Sequence, residues 1–376
     1  MISWGTTVRT ASTTALVTLI QRPEWRNGPA GDRLRARLSE LLADADPVIR
    51  MLALPGLLYT SAEPLTDRQI QTVVIDRLRR ETHAYPRSIL LNWFTRLLNA
   101  DPGAADAFLP HLMSGPETSG GEDDDHADVV VRAVLHLHIV HRTTEAARII
   151  EEWTASPVTD SPTARRAVVF TRDYLRPPAA SPTVQDRAFS FLSTVTTRVA
   201  DEYLRQWTAY KLAPLPEVAD GVNNAARVAH DIAHAVYFAS SAFDVKQQSD
   251  AAPLTPDQLS DFDRHARPLL MDLARIQHAE VVHPIVETLV FLAAVDPRAT
   301  LRDLVQVVPD RTDYVTDSLA ADEITGFLRT LMTENRELVL EDTAITEDFR
   351  VLLQKVAWAG HPAAVELAYD FSSLFV

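Results

Sequence analysis

The sequence predicts an all-α protein, an array of antiparallel helical pairs with no significant sheet. Two observations carry that prediction: where the prolines fall and how the apolar residues are spaced. The chain has 23 prolines, and Asp46-Pro47, Asp101-Pro102, Ser161-Pro162, Ser181-Pro182, Thr255-Pro256 and Asp296-Pro297 each put a capping side chain directly before one. Proline is tolerated at the first helical position, where its missing N–H has no partner anyway. Asp, Ser or Thr just before it accepts from the next free amides. Thr66 with Gln69 adds a capping-box pattern. Such prolines mark where helices start.

In chain order, residues 38–58 read as two apolar helices turning at Asp46-Pro47, and 97–112 repeats the pattern at Asp101-Pro102. The stretch SGPETSGGEDDDH, 114–126, has no apolar anchor and reads as a flexible acidic linker. It divides the chain into an N-terminal segment, 1–113, and a helical array, 127–376. VVVRAVLHLHIVH, 129–141, is β-branched and could alternate as a strand, but the sequence offers it no partner, so helix is expected. Phe189, Leu192, Val195, Val199, Tyr203, Trp207 and Tyr210 then recur at steps of three or four, one stripe on a long helix. Ala225, Ala229, Ile232, Val236, Ala239 and Phe243 form a second stripe, joined to the first by the turn APLPEVADG. Starts and stripes together suggest roughly sixteen to eighteen helices with short connections.

LSELLADADPVIRMLALPGLL, 38–58, resembles one HEAT-type repeat, in which an apolar helix ends, Asp46-Pro47 turns the chain and a second apolar helix opens. ETLVFLAAVDPRATLRDLVQVV (287–308), LLNADPGAADAFLPHL (97–112) and LQKVAWAGHPAAVELAYDFSSLF (353–375) echo it. No fixed period covers the chain, and the middle third departs from the pattern. The resemblance implies an α-solenoid whose units stack to bury their apolar faces, and a protein that binds macromolecules or braces an assembly.

Net charge is −15 at pH 7, which repels phosphate backbones and argues against nucleic acid as a partner. Residues 1–100 run against that balance, with 13 Arg, no Lys and 9 acidic residues. There is no cysteine, which excludes disulfides, thiolate metal sites and a thiol nucleophile. The first twenty residues lack a basic start followed by a clean apolar run, so no signal peptide is expected. The most apolar stretch, VVHPIVETLVFLAAV, carries His283, Pro284 and Glu287 and is too short to span a bilayer. A cytoplasmic protein is expected.

RVAHDIAHAVYF, 227–238, is where chemistry is most expected. His230 and His234, at i and i+4, share a helical face and could share a zinc ion. The zinc-protease pattern needs Glu where Asp231 stands, and its extension needs Gly and His where Tyr237 and Ser240 stand. The pair His230-Asp231 also resembles the core of HD-type phosphohydrolases, but the upstream histidine of that family is missing. A metal-dependent hydrolase centred on His230, Asp231 and His234 is therefore the alternative reading. The leading one gives them structural work, with Arg227 and Asp231 as an i,i+4 ion pair. His136, His138 and His141 read the same way, with 138 and 141 on one helical face. No P-loop, dinucleotide fingerprint or nucleophile elbow occurs, and no cofactor is expected.

A protein-interaction or scaffolding module is therefore expected, its partner another protein or another domain of a larger assembly. Arg33 and Arg37 share one helix face, as do Arg77 and Arg80. Two adjacent helices could merge them into a basic strip for an acidic partner, since arginine is favoured at interfaces. Pairing of Arg33 and Arg37 with Glu40 or Asp44 is the competing use.

Overall fold

The computed structural model describes residues 7–26, 28–58, 60–61, 63–113, 123–155, 157–176, 181–248, 253–309, 320–358 and 360–371. Among these, 85% are helical, in twenty α-helices, and none is in a strand. The chain divides into two compact units, Met1–Glu151 and Glu152–Val376.

The first unit contains α1 (Val8–Gln21), α2 (Pro23–Arg26), α3 (Gly28–Leu41), α4 (Pro47–Leu58), α5 (Arg68–Arg80), α6 (Ala84–Ala100), α7 (Pro102–Met113) and α8 (Asp123–His136). A π-helical turn, Leu137–His141, follows, and α9 (Thr144–Ala155) runs across the division. Helix α4 packs on α1, α3 and α6. Gly56 leaves room for α1 and α3, because a Cβ there would lie 2.7 Å from Val17 Cγ2 and 3.0 Å from Leu38 Cδ2. Phe94 and Phe108 meet edge to face at 5.7 Å in the core between α6 and α7. Of the linker expected at 114–126, residues 114–122 lie outside the described residues. The rest opens α8, which packs on α6 and α7.

The second unit opens with a 3₁₀ turn, Val158–Asp160, then α10 (Pro162–Leu175), α11 (Pro182–Leu212), α12 (Pro216–Ala239) and α13 (Ala242–Lys246). It continues with α14 (Pro256–Leu273), α15 (Ala279–Leu292), α16 (Pro297–Val307), α17 (Ala321–Glu334), α18 (Arg336–Glu341), α19 (Thr343–Trp358) and α20 (Pro362–Asp370). Helix α12 is its hub and touches α10, α11, α14 and α15. Its buried residues explain how so many helices approach it: Ala225, Ala226, Ala229, Ala233, Ala235 and Ala239 leave little side chain in the way. No helix of either unit is long and apolar enough to cross a membrane, among the described residues.

All six proline junctions begin a helix. Ser161, Ser181, Thr255 and Asp296 accept from backbone amides at the starts of α10, α11, α14 and α16. Asp46 and Asp101 do the same for α4 and α7, accepting from Val48 and Ala104. The expected Thr66 cap is displaced by one residue. Asp67 stands directly before α5 and accepts from Gln69 and Ile70, while Thr66 bonds back to Glu63. Residues 129–141 are helical, as expected, but the register changes inside them. In the π turn residues five apart align, and His136, which in-helix spacing did not place with His141, meets it with ring centroids 5.3 Å apart.

One buried ion network ties three helices of the first unit. Glu81, fully buried after α5, accepts from Arg50 Nε at 2.8 Å and Nη2 at 2.7 Å, from Arg77 Nη2 at 2.6 Å, and from the His83 amide at 3.0 Å. Arg50 also donates to the carbonyls of Asp44 and Ala45, and Arg87 donates to the Glu81 carbonyl. Burial pushes the Glu81 carboxyl up, but the bonds from Arg50, His83 and Arg77 outweigh it and hold it below the ordinary glutamate value.

Candidate functional site

His230 and His234 lie on one face of α12, with ring centroids 4.1 Å apart. His230 Nδ1 is 2.8 Å from the Glu280 carbonyl and so bonds to the chain at α15. Burial lowers the His234 pKa, and the neighbouring His230 lowers it further. Asp231 pairs with Arg165 of α10 and not with Arg227. That partner sits on a packed neighbouring helix, which in-helix spacing could not reveal. No group of three or more His, Asp or Glu side chains that could hold a metal ion occurs among the described residues. The pair is knitted into the α10–α12–α15 packing by these contacts.

The four arginines of the expected basic strip fall in three settings. Arg33 and Arg37 are exposed on α3, and Arg37 pairs with Glu40 at 2.6 Å. Asp44 pairs instead with Arg9. Arg80 is exposed and pairs with Asp76 at 2.9 Å, whereas Arg77 turns into the Glu81 network. Helices α3 and α5 border one shallow cleft of about 300 Å³. From α3 it is lined by Asp32, Arg35, Ala36 and Ser39, so Arg33 and Arg37 occupy another face.

A surface that the charge pattern did not suggest is formed by the α11–α12 hairpin. Within α11 the buried residues end at Tyr203, within α12 they begin at Val222, and no residue from Leu204 to Gly221 is buried. The tip therefore stands clear of the core. Its two strands of helix still pack closely: a Cβ on Gly221 would lie 3.0 Å from Gln206 Cδ. Tyr203, Trp207 and Tyr210 stack in series, with centroids 6.2 and 5.8 Å apart. The stack begins in the core and runs outward, so the core fixes the orientation of the outer rings. Lys211 places its Nζ 5.2 Å from the Trp207 ring centroid, a cation–π contact. Beyond it Leu212 is 83% exposed and Leu215 53% exposed. The apolar stripe of α11 was legible in sequence. That its last two turns outrun their covering helices was not, because that depends on where neighbouring helices end.

No protein-family model matches this chain, and no curated protein matches it.

Proposed function

We propose that this chain is a protein-interaction or scaffolding module and that the tip of the α11–α12 hairpin enters its partner, another protein or another domain of a larger assembly. One observation carries the reading: a core-anchored aromatic stack that ends in the exposed Leu212 and Leu215. Large apolar side chains clustered on an exposed projection mark interaction sites, and Trp and Tyr held rigid bind with little loss of conformational freedom. Lys211 has no carboxylate partner among the described residues. The partner surface that fits is an apolar groove with a carboxylate at its rim. We also read the C-terminal helices as HEAT-like, supported by the stacking of α16 on α15 and α19 and of α20 on α19. The cytoplasm is the proposed compartment, since a chain without cysteine needs no oxidising environment.

A photo-crosslinking residue placed at Leu212 in native cells tests the reading. The adduct is identified by mass spectrometry and that protein is purified. Its affinity for the wild type is then expected to fall at least about tenfold in Trp207→Ala and in Lys211→Glu, in line with interface hot spots. Equal affinity of these variants and wild type would remove the tip from the interface.

A further inference from the structure

A second feature of the same unit is independent of the hairpin tip. Where α10, α12 and α13 meet, a cleft of about 470 Å³ is lined by Arg172, Asp173, Arg176, Phe238, Phe243 and Asp244, together with Ala239. That volume is within the range of small-molecule sites. Phe238 and Phe243 meet edge to face at 4.8 Å and form an apolar wall, with Phe243 36% exposed. The Arg172 guanidinium carbon lies 5.4 Å from the Phe238 ring centroid. A ring face attracts the cation without cancelling its charge.

Other basic residues of this unit are matched by carboxylates. Arg176 donates to Asp244 at 2.6 Å, Arg165 is paired with Asp231, and Lys246 bridges Glu287 at 2.5 Å and Glu323 at 2.7 Å. Arg172 has no carboxylate partner among the described residues. It is also held against a ring, so it is positioned without being neutralised. We infer that this cleft binds a monocarboxylate with an aromatic or branched apolar body, its carboxylate on Arg172 and its body against Phe238 and Phe243. A carboxylate matches the fork of a guanidinium edge and brings a single negative charge. A phosphate dianion would bring close to two charges beside Asp173 and Asp244, with one unpaired cation to receive them.

The same chemistry could come from a free small molecule or from the C-terminus of a peptide, and titration by NMR separates the two. The probes are 3-phenylpropionate, its neutral amide, phenyl phosphate, and N-acetyl-Leu-Phe with a free or an amidated C-terminus. For 3-phenylpropionate a dissociation constant of about a millimolar order is expected for so small a body. The amide, and the Arg172→Gln variant with the acid, are each expected to bind at least about tenfold more weakly, the loss of a charge-assisted bond. Arg172 is exposed, so the variant is expected to keep the wild-type melting temperature, and Phe243→Ala serves as a second variant that weakens acid and peptide alike. A free-acid dipeptide that binds at least about tenfold more tightly than 3-phenylpropionate assigns the site to a chain terminus, and equal or weaker binding assigns it to a free acid. Acid and amide binding equally, Arg172→Gln binding as wild type does, phenyl phosphate binding more tightly than the acid, or no carboxylate binding at about 20 mM would each overturn the inference.

Discussion

Replacing Glu81 by Gln keeps the shape of the side chain and removes the one negative charge that two arginines share. The side chains of Arg50 and Arg77 are only 9% and 16% exposed, and Glu81 itself is 0% exposed. Removing one partner of a buried pair leaves an uncompensated charge and costs about 3–5 kcal/mol. Two features place this case at the lower end of that range. Arg50 keeps its bonds to the carbonyls of Asp44 and Ala45, and Arg77 lies near enough to the surface to swing toward water. We expect about 3 kcal/mol for Glu81→Gln, and about 4–5 kcal/mol for Glu81→Ala, which also frees the His83 amide. Hydrogen exchange read by mass spectrometry is the suitable assay, because it reports each unit separately. Peptides from 47–100 should open more easily by this amount, and those from 182–300 should not change. The pH dependence has a definite sign. The folded-state carboxyl is depressed below its unfolded value, so its contribution is fully present above the unfolded pKa, about 4.3, and is lost as pH falls through the folded value. The gap between wild type and Glu81→Gln should therefore narrow in acid. A gap under about 1 kcal/mol at pH 7, the worth of one ordinary hydrogen bond, or one that does not narrow toward pH 3, would refute the reasoning.

Asp263 should behave in the opposite way: burial pushes its carboxyl up, and the bond and charge of Arg267 do not fully offset this. Asp263→Asn is then expected to cost no more than about 1 kcal/mol in urea unfolding, since Arg267 keeps its 2.6 Å bond to Asp303, and wild type should gain on the variant as pH falls through the raised pKa. His234 and His136 are both held below the ordinary histidine value, chiefly by burial. Stability from keeping them neutral is present above about pH 6.5 and is lost as pH falls through their folded values, so His234→Phe with His136→Leu should flatten melting temperature against pH between about 7 and 5. Charge reversal at Arg33, Arg37 and Arg80, all exposed, should leave both the melting temperature and the affinity for the crosslinked partner unchanged, since exposed ion pairs contribute little. Arg77→Glu should instead unfold the first unit at lower urea, since it sets two carboxylates against each other.

What was legible in the sequence was local. Each capping residue before proline names the start of a helix from two adjacent positions, and the stripes of α11 and α12 name their buried faces from one helix each. The expected sixteen to eighteen helices fall short of twenty because α2, α13 and α18, of four to six residues, are too short for periodicity to register. The features that were not legible depend on tertiary placement. Arg165 rather than Arg227 reaches Asp231 because α10 packs on α12. Arg77 leaves the expected basic strip because Glu81 draws it inward beside Arg50. The π turn at Leu137–His141 has no sequence signal that separates it from an α-turn, yet it decides which histidines meet. Arg172 and Phe238 were not singled out, since their pairing crosses from α10 to α12.

The most direct test of the proposed docking tip is a hydrogen-exchange footprint of the purified complex with the crosslinked partner. Protection on binding is expected in peptides covering 203–222, with little change in those covering 28–41 and 68–80. Protection confined to the arginine-bearing helices α3 and α5, with 203–222 exchanging as in the free chain, would contradict it.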